Sequence, residues 1–438
     1  MQNQDTASIS GWRRSLNTLN IRQFRWLMAG NAAFFLAMQG QVLTRTFLAW
    51  ELTQEEMSLA YINIAFAIPM LIFSLLGGAM SDRIERRKLI VIGQLILLAN
   101  ECTIMGLLIV GTLEFWNLLI AGMIAGSIMP FIMPARTALV YNVVGPNKLG
   151  GAMALSSAVM NLSRILGPAM MGFAISLYST VGAYIIAVTL YSTSVLCMLG
   201  IQRNKNNHGN ALKPSLSQDV LAGIMYVKSY RPLLICILFG LAPMLLAMPF
   251  QSFLVVFADQ VWAVGERGLG ILMGMSGLGG VIGSIWVAQR GERIDRTKLM
   301  TLNALLFGVL IIVFSLTSNF YLALIPLVFA NICSSASQTL NTTTTQLLVD
   351  DAQRGRTSSL MMMAYGLTPL GVLPMAFLAQ HIGVQWATIT GCVTLVFILT
   401  GFYWQSQTLK TLDQAVKEKL NRLNVSAANA LSDPDSHA

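Results

Sequence analysis

Twelve apolar segments, each long enough to cross a lipid bilayer, run through this chain of 438 residues. The hydrocarbon core of a bilayer is about 30 Å thick, so a spanning α-helix needs about 20 apolar residues. Because a helix satisfies its own backbone hydrogen bonds, we predict an all-α membrane protein. The predicted spans are 24–50, 57–80, 89–111, 115–138, 151–177, 180–201, 233–258, 267–288, 299–317, 319–341, 357–379 and 384–405.

The composition agrees with a membrane class. The chain is 55% hydrophobic and only 11% charged, whereas soluble proteins carry about 25% charged residues. Nearly all of the lysines and arginines lie beside segment ends that we place on the cytoplasmic side, so the net charge of +9 indicates membrane orientation. We therefore expect a multi-pass protein of the inner (plasma) membrane, with both termini cytoplasmic and no nucleic-acid partner.

Nothing in the sequence predicts enzyme chemistry. The five cysteines all fall inside apolar segments and lack metal-ligand or disulfide spacing. The three histidines lie in polar linkers or at a helix end. The sequence also lacks a GxxxxGK(S/T) phosphate loop, so ATP is not the expected energy source. We expect no enzymatic activity, no cofactor and no metal.

A charged loop joins the second and third apolar segments and carries six charges in the seven residues 82–88. A glycine there lets helix ends approach closely, and an aspartate can lie at a helix N-terminus or pair with an arginine. The cations hold the loop on the cytoplasmic face. We interpret this loop as a gating element; a plain stop-transfer loop is the alternative. The residues that make up its spaced pattern are Gly78, Asp82, Arg83, Arg86, Arg87 and Lys88.

A second copy of this loop lies 210 residues further on. Residues 81–90 read SDRIERRKLI and residues 291–300 read GERIDRTKLM. Ala288 stands where Gly78 does, so the second loop is expected to pack less closely. A repeat of about half the chain is typical of transporters built from two parallel halves. The second copy carries the charged residues Glu292, Arg293, Arg296 and Lys298, and Asp295 stands where Glu85 does.

The loop resembles the signature of the major facilitator superfamily, Gly-x-x-x-Asp-Arg-x-x-Arg-Arg/Lys-Lys. The chain is similar, over about residues 20–405, to the bacterial branch that includes the enterobactin exporter and macrolide efflux proteins. The resemblance implies twelve helices in two pseudo-symmetric six-helix bundles, a central cavity lined by helices one, four, seven and ten, and alternating access driven by a proton gradient. The predicted divisions are an N-terminal arm (1–23), a first bundle (24–201), a linker with an amphipathic helix (202–231), a second bundle (232–405) and a tail (406–438).

The fifth segment carries Gly167, Pro168 and Gly172, which resemble the Gly-Pro-x-x-Gly-Gly element of antiporters in this superfamily. In the family this element is linked to exchange rather than uptake, although Met171 here replaces one closing glycine. Proline bends the helix, and the glycines let a neighbouring helix pack closely. A proline-kinked packing helix without a role in exchange is the alternative.

Charged residues within the spans are candidates for coupling. Arg164 lies halfway along the fifth segment, where a cation normally faces protein or water, and Asn161 lies one helical turn away. Glu101 lies at a similar depth in the third segment. We expect Glu101 and Arg164 to form a proton relay, in which protonation shifts the conformational balance; a static ion pair or a polar contact between helices is the alternative. Arg45 could reach the outer headgroups or pair with an anionic substrate.

Further candidates lie near the segment ends. Arg136 follows the family pattern Pro-x-Arg-x-Ala-Leu at the inner end of the fourth segment, where the resemblance implies a structural grip on the cytoplasmic loops. Gln251 and Asp259 lie near the outer end of the seventh segment, whose helix is expected to be broken by its two internal prolines. Asn331 and Gln338 belong to a polar stripe on the tenth segment, which would suit substrate hydrogen bonding or mark a helix end that reaches water.

The leading expectation is a secondary active transporter that exports a small amphipathic molecule, such as a siderophore, a drug or a metabolite, in exchange for protons. An uptake permease for a nutrient shares the fold and the loop signature and stays open. A non-transporting sensor or scaffold is the third possibility; it would lose the gating glycines and midplane charges that this chain keeps. The expected partners are a small-molecule substrate, protons and the lipid bilayer, with the protein acting as a monomer.

Overall fold

The computed structural model describes residues 18–145, 149–202, 225, 228–290, 295–349 and 368–414. These residues form helices joined by short connections and contain no β-strand. The all-α prediction is therefore confirmed. The predicted N-terminal arm, linker helix and C-terminal tail lie almost wholly outside the described residues.

The helices of the first half follow the predicted spans within a few residues. The helical stretch Leu149–Leu199 is interrupted at Tyr178 and Ser179, where the backbone is not helical and Ser179 has φ of 64°. We therefore divide it into α5 (149–177) and α6 (180–199). The preceding helices are α1 (Arg22–Thr53), α2 (Glu56–Arg83), α3 (Arg86–Val110) and α4 (Phe115–Val144).

The seventh span is irregular, as its prolines predict. It begins as α7 (Arg231–Leu246) and continues through a 3-10 segment, Met248–Phe253, into a π-helical turn, Phe257–Val261. Pro249 lies in the 3-10 segment and has no backbone N–H to continue an α-helix. The helices that follow are α8 (Gly265–Arg290), α9 (Arg296–Leu316), α10 (Phe320–Leu348), α11 (Thr368–Ile382), α12 (Val384–Gln405) and the short α13 (Gln407–Lys410).

Nine helical stretches within the described residues are long and apolar enough to cross a membrane. One of them, Gly151–Leu199, is the interrupted α5–α6 stretch, whose 49 residues suffice for two crossings. Two predicted spans are not among the nine. The first, α1, carries polar residues such as Gln41 and Arg45, and the other, predicted at 357–379, begins outside the described residues. The count of twelve spans stays a prediction.

Local sequence signals set several helix ends. The side chains of Glu114 and Asn117 form a reciprocal capping box at the start of α4. The Asn319 side chain accepts hydrogen bonds from two backbone N–H groups at the start of α10. After α3 the chain turns at Gly111, whose φ of 77° is left-handed and free of strain for glycine. Short connections between spans follow from these caps.

The contacts of the chain group it into two compact units that are not continuous in sequence. Unit 1 comprises Met1–Lys213, Gln251–Gly277 and Val372–Val384. Unit 2 comprises Pro214–Phe250, Leu278–Gly371 and Gln385–Ala438. The domain limits predicted from the sequence were drawn at helix ends, and they stay a prediction.

Unit 1 is held together by close helix pairs. A Cβ added to Gly126 of α4 would lie 2.0 Å from the carbonyl oxygen of Phe66 in α2, so only glycine allows this approach. Gly40 of α1 and Gly167 of α5 meet in the same way. Between these pairs lies a core from α1, α3, α4 and α6, with the buried side chains Phe34, Phe35, Ala37, Leu97, Ala125, Met129, Ile132 and Tyr191.

Unit 2 also packs its helices closely at glycines. Gly283 of α8 packs against the backbone of Ile332 in α10, where an added Cβ would lie 2.3 Å from the carbonyl oxygen. Phe250 packs edge-on against Phe307 and Phe314 of α9. Glycines at the helix crossings thus let the helix backbones approach closely, beside the larger apolar side chains of the core.

Candidate functional site

An ion pair lies buried in unit 1, between α1 and α3. Arg45 Nη2 donates to Glu101 Oε1, and the side chains are 11% and 1% exposed. Glu101 is the only fully buried carboxylate among the described residues. Burying a charge is costly unless it is paired, so the contact between Arg45 and Glu101 offsets part of the cost of burying both.

The ion pair also leaves buried polar atoms without hydrogen bonds. Among the described residues, Glu101 Oε2 and Arg45 Nε are buried atoms that have no hydrogen-bond partner. Tyr184 and Tyr191, both on α6, lie close enough to interact electrostatically with the pair. We refer to Arg45, Glu101, Tyr184 and Tyr191 as the charged cluster. Its free acceptor on Glu101 is where a proton can be bound.

The predicted Glu101–Arg164 relay is wrong. Glu101 pairs with Arg45 instead, while Arg164 is exposed on α5 and has no ion-pair partner among the described residues. Equal depth along two helices does not determine which faces meet, and α6 rather than α5 provides the side chains around Glu101. The two roles predicted for Arg45, at the headgroups or on a substrate, are likewise replaced by this internal pair.

Arg136 of α4 is the second buried cation of unit 1, at 3% exposure. Its guanidinium donates to Asn31 Oδ1 on α1 and lies 3.9 Å from the ring centre of Phe34. Within the described residues no carboxylate pairs with it. Ser194 of α6 lies beside it, donating to the Gly30 carbonyl oxygen at 2.7 Å. Arg136 therefore joins α1, α4 and α6 inside the unit, rather than the cytoplasmic loops that the resemblance implied.

Ser194 also links α3 to this network. Gln94 Nε2 donates to Ser194 Oγ at 2.6 Å, and Arg136 Nη2 approaches the same oxygen at 3.4 Å. One hydroxyl thus connects four helices. The sequence did not single out Gln94 or Ser194, because an isolated amide or hydroxyl in an apolar segment is too common to be a signal.

The charged loop contributes two arginines that bind helix ends. Arg86 donates to Asn142 Oδ1 at 2.7 Å, near the end of α4. Arg87 donates to the carbonyl oxygens of Met198 and Leu199, which end α6, at 3.0 and 2.8 Å. Cations are favourable at such C-terminal carbonyls. Both arginines therefore tie the end of one helix to the start of α3, and Lys88 is exposed.

The remaining loop residues are only partly described. The side chains of Gly78, Asp82 and Arg83 lie outside the described residues, and so do Glu292 and Arg293. In the repeat, the backbone N–H of Arg296 donates to Asp413 Oδ2 at 3.1 Å, and Lys298 forms an exposed ion pair with Asp295 at 3.2 Å. The gating role predicted for both loops stays a prediction.

Asp259 makes a contact within unit 1 at the end of the irregular seventh span. Trp50 Nε1 of α1 donates to Asp259 Oδ2 at 2.9 Å, although Asp259 itself is exposed. Gln251, from the same span, is half-buried. On α5, Asn161 is half-buried and Pro168 is buried beside Gly167. The structure brings none of these four residues to the charged cluster.

Unit 2 contains an open pocket between α7, α9 and α10. Gln338 belongs to its wall, whereas Asn331 is buried and donates to the Leu327 carbonyl oxygen of its own helix. None of the wall residues is charged; they are Ile237, Phe239, Gly240, Leu241, Pro243, Met244, Met248, Ala304, Phe307, Ser334, Ser337, Gln338, Asn341 and Thr342.

Within the described residues, no group of three or more His, Cys, Asp or Glu side chains is placed to hold a metal ion. The five cysteines are free thiols. A buried ion pair and an uncharged pocket among apolar helices are features common in membrane transporters.

The chain belongs to the major facilitator superfamily, and its match is to the family described as transmembrane secretion effector, over residues 14–436. It is 24% identical over 351 residues to the staphyloferrin A transporter of Staphylococcus aureus, covering 77% of this chain and 86% of that one. It is 20% identical over 393 residues to macrolide efflux protein A of Streptococcus pyogenes, covering 85% and 95%.

A solved structure shows the same fold. A bacterial homolog of the human lysosomal transporter Spinster matches with a TM-score of 0.68 at 13% identity, covering 91% of this chain and 98% of that one. The protein is therefore a multi-pass membrane transporter of the major facilitator superfamily. The family and the relatives point to a transporter rather than an enzyme.

Proposed function

We propose that this protein exports a small amphipathic molecule across the plasma membrane in exchange for protons, as a monomer with both termini in the cytoplasm. The observation that carries the proposal is the buried Arg45–Glu101 pair. An antiporter driven by protons needs a group that gains and loses a proton during the cycle. Glu101 is the only fully buried carboxylate available among the described residues.

The geometry supplies a coupling mechanism. Protonation of Glu101 removes its charge and leaves Arg45 buried without a counterion, which costs several kcal/mol by order of magnitude. The free energy of this arrangement of α1, α3 and α6 then rises relative to a second arrangement in which water reaches Arg45. A proton can therefore shift the balance between two conformations of unit 1.

Export is favoured over uptake by the relatives and by the fifth helix. One of the relatives is named for macrolide efflux, and the family is described as a secretion effector. The Gly167–Pro168 element, which resembles the antiporter motif, packs against Gly40 of α1. The cytoplasmic placement of the termini is supported by the cations of the loop at 82–88.

The test uses inside-out membrane vesicles and a panel of labelled siderophores, macrolides and cationic dyes. Export appears as accumulation in the vesicle lumen when the lumen is acidified. We expect Glu101→Gln, whose amide oxygen can still accept from Arg45, to bind substrate but lose the response to the pH gradient. The matched control is Asp259→Asn, which neutralises an exposed carboxylate of the same unit and should keep that response.

Two results would contradict the proposal. If Glu101→Gln keeps the parent dependence on the gradient, the proton is carried by another group, and loss of the response in Asp259→Asn would identify Asp259. If substrate accumulates in right-side-out vesicles and not in inside-out vesicles, the protein is an uptake permease.

A further inference from the structure

The pocket in unit 2 contains a buried hydrogen-bond acceptor that no described residue satisfies. Asn341 is 7% exposed, lies in the pocket wall, and its Oδ1 atom has no partner. A buried acceptor without a partner destabilises a protein by about 1–3 kcal/mol, so such an atom needs an explanation. A ligand that donates to Oδ1 from the pocket would provide one.

The neighbouring helix leaves room for this amide. A Cβ added to Gly240 of α7 would lie 2.4 Å from Asn341 Nδ2, so any larger residue there would displace the side chain. Two wall hydroxyls have contacts of their own: Ser337 Oγ donates to the Met300 carbonyl oxygen at 3.0 Å, and Ser334 Oγ contacts Met248 Sδ at 4.0 Å. Among the polar atoms of the wall, Asn341 Oδ1 is the one that is buried without a partner.

The rest of the wall sets the chemical class of the ligand. Apolar side chains such as Met244, Met248 and Phe307 line the pocket, and no lining residue carries a charge. A charged group placed there would lose its hydration without gaining a counterion. Methionines give the wall an adaptable apolar surface. The pocket thus suits an uncharged, apolar group with one hydrogen-bond donor.

We propose that this pocket binds the uncharged portion of the transported molecule, and that the molecule donates an N–H or O–H group to Asn341 Oδ1. The proposal rests on the proposed transport function and deepens it, because it states that the recognised portion is neutral and not anionic or cationic. Charge recognition is then absent from this pocket, and hydrogen-bond donation determines which amphipathic molecules are accepted.

The test uses three related probes with the full-length protein in lipid nanodiscs. N-phenyl-1-naphthylamine is neutral and has an N–H donor, its N-methyl analogue lacks the donor, and 8-anilinonaphthalene-1-sulfonate adds an anionic group. Binding is measured by the rise in the unfolding midpoint with probe concentration, which depends on affinity. We expect the first probe to bind, the N-methyl analogue to bind roughly threefold to tenfold more weakly, and the sulfonate to give no saturable shift.

Two variants separate ligand binding from folding. Asn341→Leu should make the first two probes bind equally, while the unfolding midpoint without probe stays the same or rises, because an unpartnered acceptor is removed. The matched control is Asn303→Leu, a second buried asparagine of unit 2 with equal exposure, whose Nδ2 donates to Leu299. It should lower the midpoint and keep the difference between the probes.

Three outcomes would overturn the proposal: no binding of N-phenyl-1-naphthylamine to the parent protein, equal binding of the N-methyl analogue, or sulfonate binding that depends on Asn341. Because no gradient is applied, this assay is independent of proton coupling. If export follows the gradient but the probes do not bind the pocket, the substrate is recognised elsewhere. If the probes bind the pocket but export does not depend on the gradient, only the proposed proton coupling is contradicted.

Discussion

The interiors of the two units differ in charge. Unit 1 buries Arg45, Glu101 and Arg136, with Glu101 and Arg136 at 0% and 3% exposure. The described part of unit 2 buries only uncharged polar groups, and its pocket has a neutral wall. Both units pack their helices through glycine contacts, so the difference does not come from the architecture. The difference supports the proposed division of tasks, with the response to protons in unit 1 and contact with substrate in unit 2.

The first prediction removes one member of the ion pair. Arg45→Met leaves Glu101 buried without a counterion, so we expect the free energy of unfolding to fall by about 3–5 kcal/mol. The double variant Arg45→Met with Glu101→Met should recover most of that loss, because two apolar side chains replace a buried pair. The measurement is reversible unfolding in mixed detergent micelles.

The exposed Arg164 on α5 provides the control for this experiment. Arg164→Met should change the free energy of unfolding by less than about 0.5 kcal/mol, as is usual for an exposed side chain. A double variant no more stable than Arg45→Met alone would show that the two residues do not depend on each other, and the contrast between the units would lose its main support.

The second prediction concerns the buried cation without a carboxylate. Arg136→Lys keeps the charge but loses the forked donors to Asn31 and Ser194 and the stacking on Phe34. Arginine and lysine are not equivalent at such a site, and we expect a loss of about 2–3 kcal/mol in the free energy of unfolding. Arg164→Lys, measured alongside, should be neutral. A neutral Arg136→Lys would mean that the charge alone matters there.

The fold was predictable because length and hydropathy determine a membrane helix. The prolines of the seventh span predicted its break, and the break at Tyr178 and Ser179 falls between the predicted spans 151–177 and 180–201. Glu101 was found because it is an isolated acid in an apolar segment. Its partner was not, because sequence gives the depth of a residue along its helix but not the rotation of that helix towards its neighbours.

The pocket was predictable only in part. The polar stripe of α10 indicated a surface for hydrogen bonding, and Gln338 lies in the wall. The role of Gly240 in leaving space for Asn341 depends on how α7 and α10 cross, which no pattern within either helix encodes. The same limitation hid Ser194, whose importance comes from its neighbours on three other helices.

The third prediction compares one buried serine from each unit. Ser194→Ala removes a hydroxyl that bridges Gln94, Arg136 and the Gly30 carbonyl oxygen, so we expect a loss of about 2–3 kcal/mol. Ser337→Ala removes one bond to a helix carbonyl and should cost about 1 kcal/mol. Unfolding of the two variants under one condition checks the difference. Equal losses would show that the polar network of unit 1 contributes no more than a single bond in unit 2.

The fourth prediction has the smallest effect and concerns the second loop, outside the spans. Partial burial tends to raise the pKa of Asp295, but the hydrogen bond from the Lys298 backbone N–H and the Lys298 charge lower it below its ordinary value. A carboxylate with a lowered folded-state pKa stabilises the fold above its unfolded pKa of about 3.9. That contribution is lost as the pH falls below this value and through the folded-state pKa. Because the side chain is 40% exposed, solvent screening keeps the effect below about 0.5 kcal/mol.

The test is Asp295→Asn, since asparagine caps a helix as well as aspartate does and only the charge is lost. The variant and the parent should differ slightly in unfolding midpoint at pH 7, and the difference should shrink as the pH falls below about 4 and disappear below the folded-state pKa of Asp295. Added salt should reduce the difference at pH 7, because screening weakens the pair between Asp295 and Lys298. A difference that persists at low pH, or that resists salt, would mean that Asp295 acts through a contact other than this exposed pair.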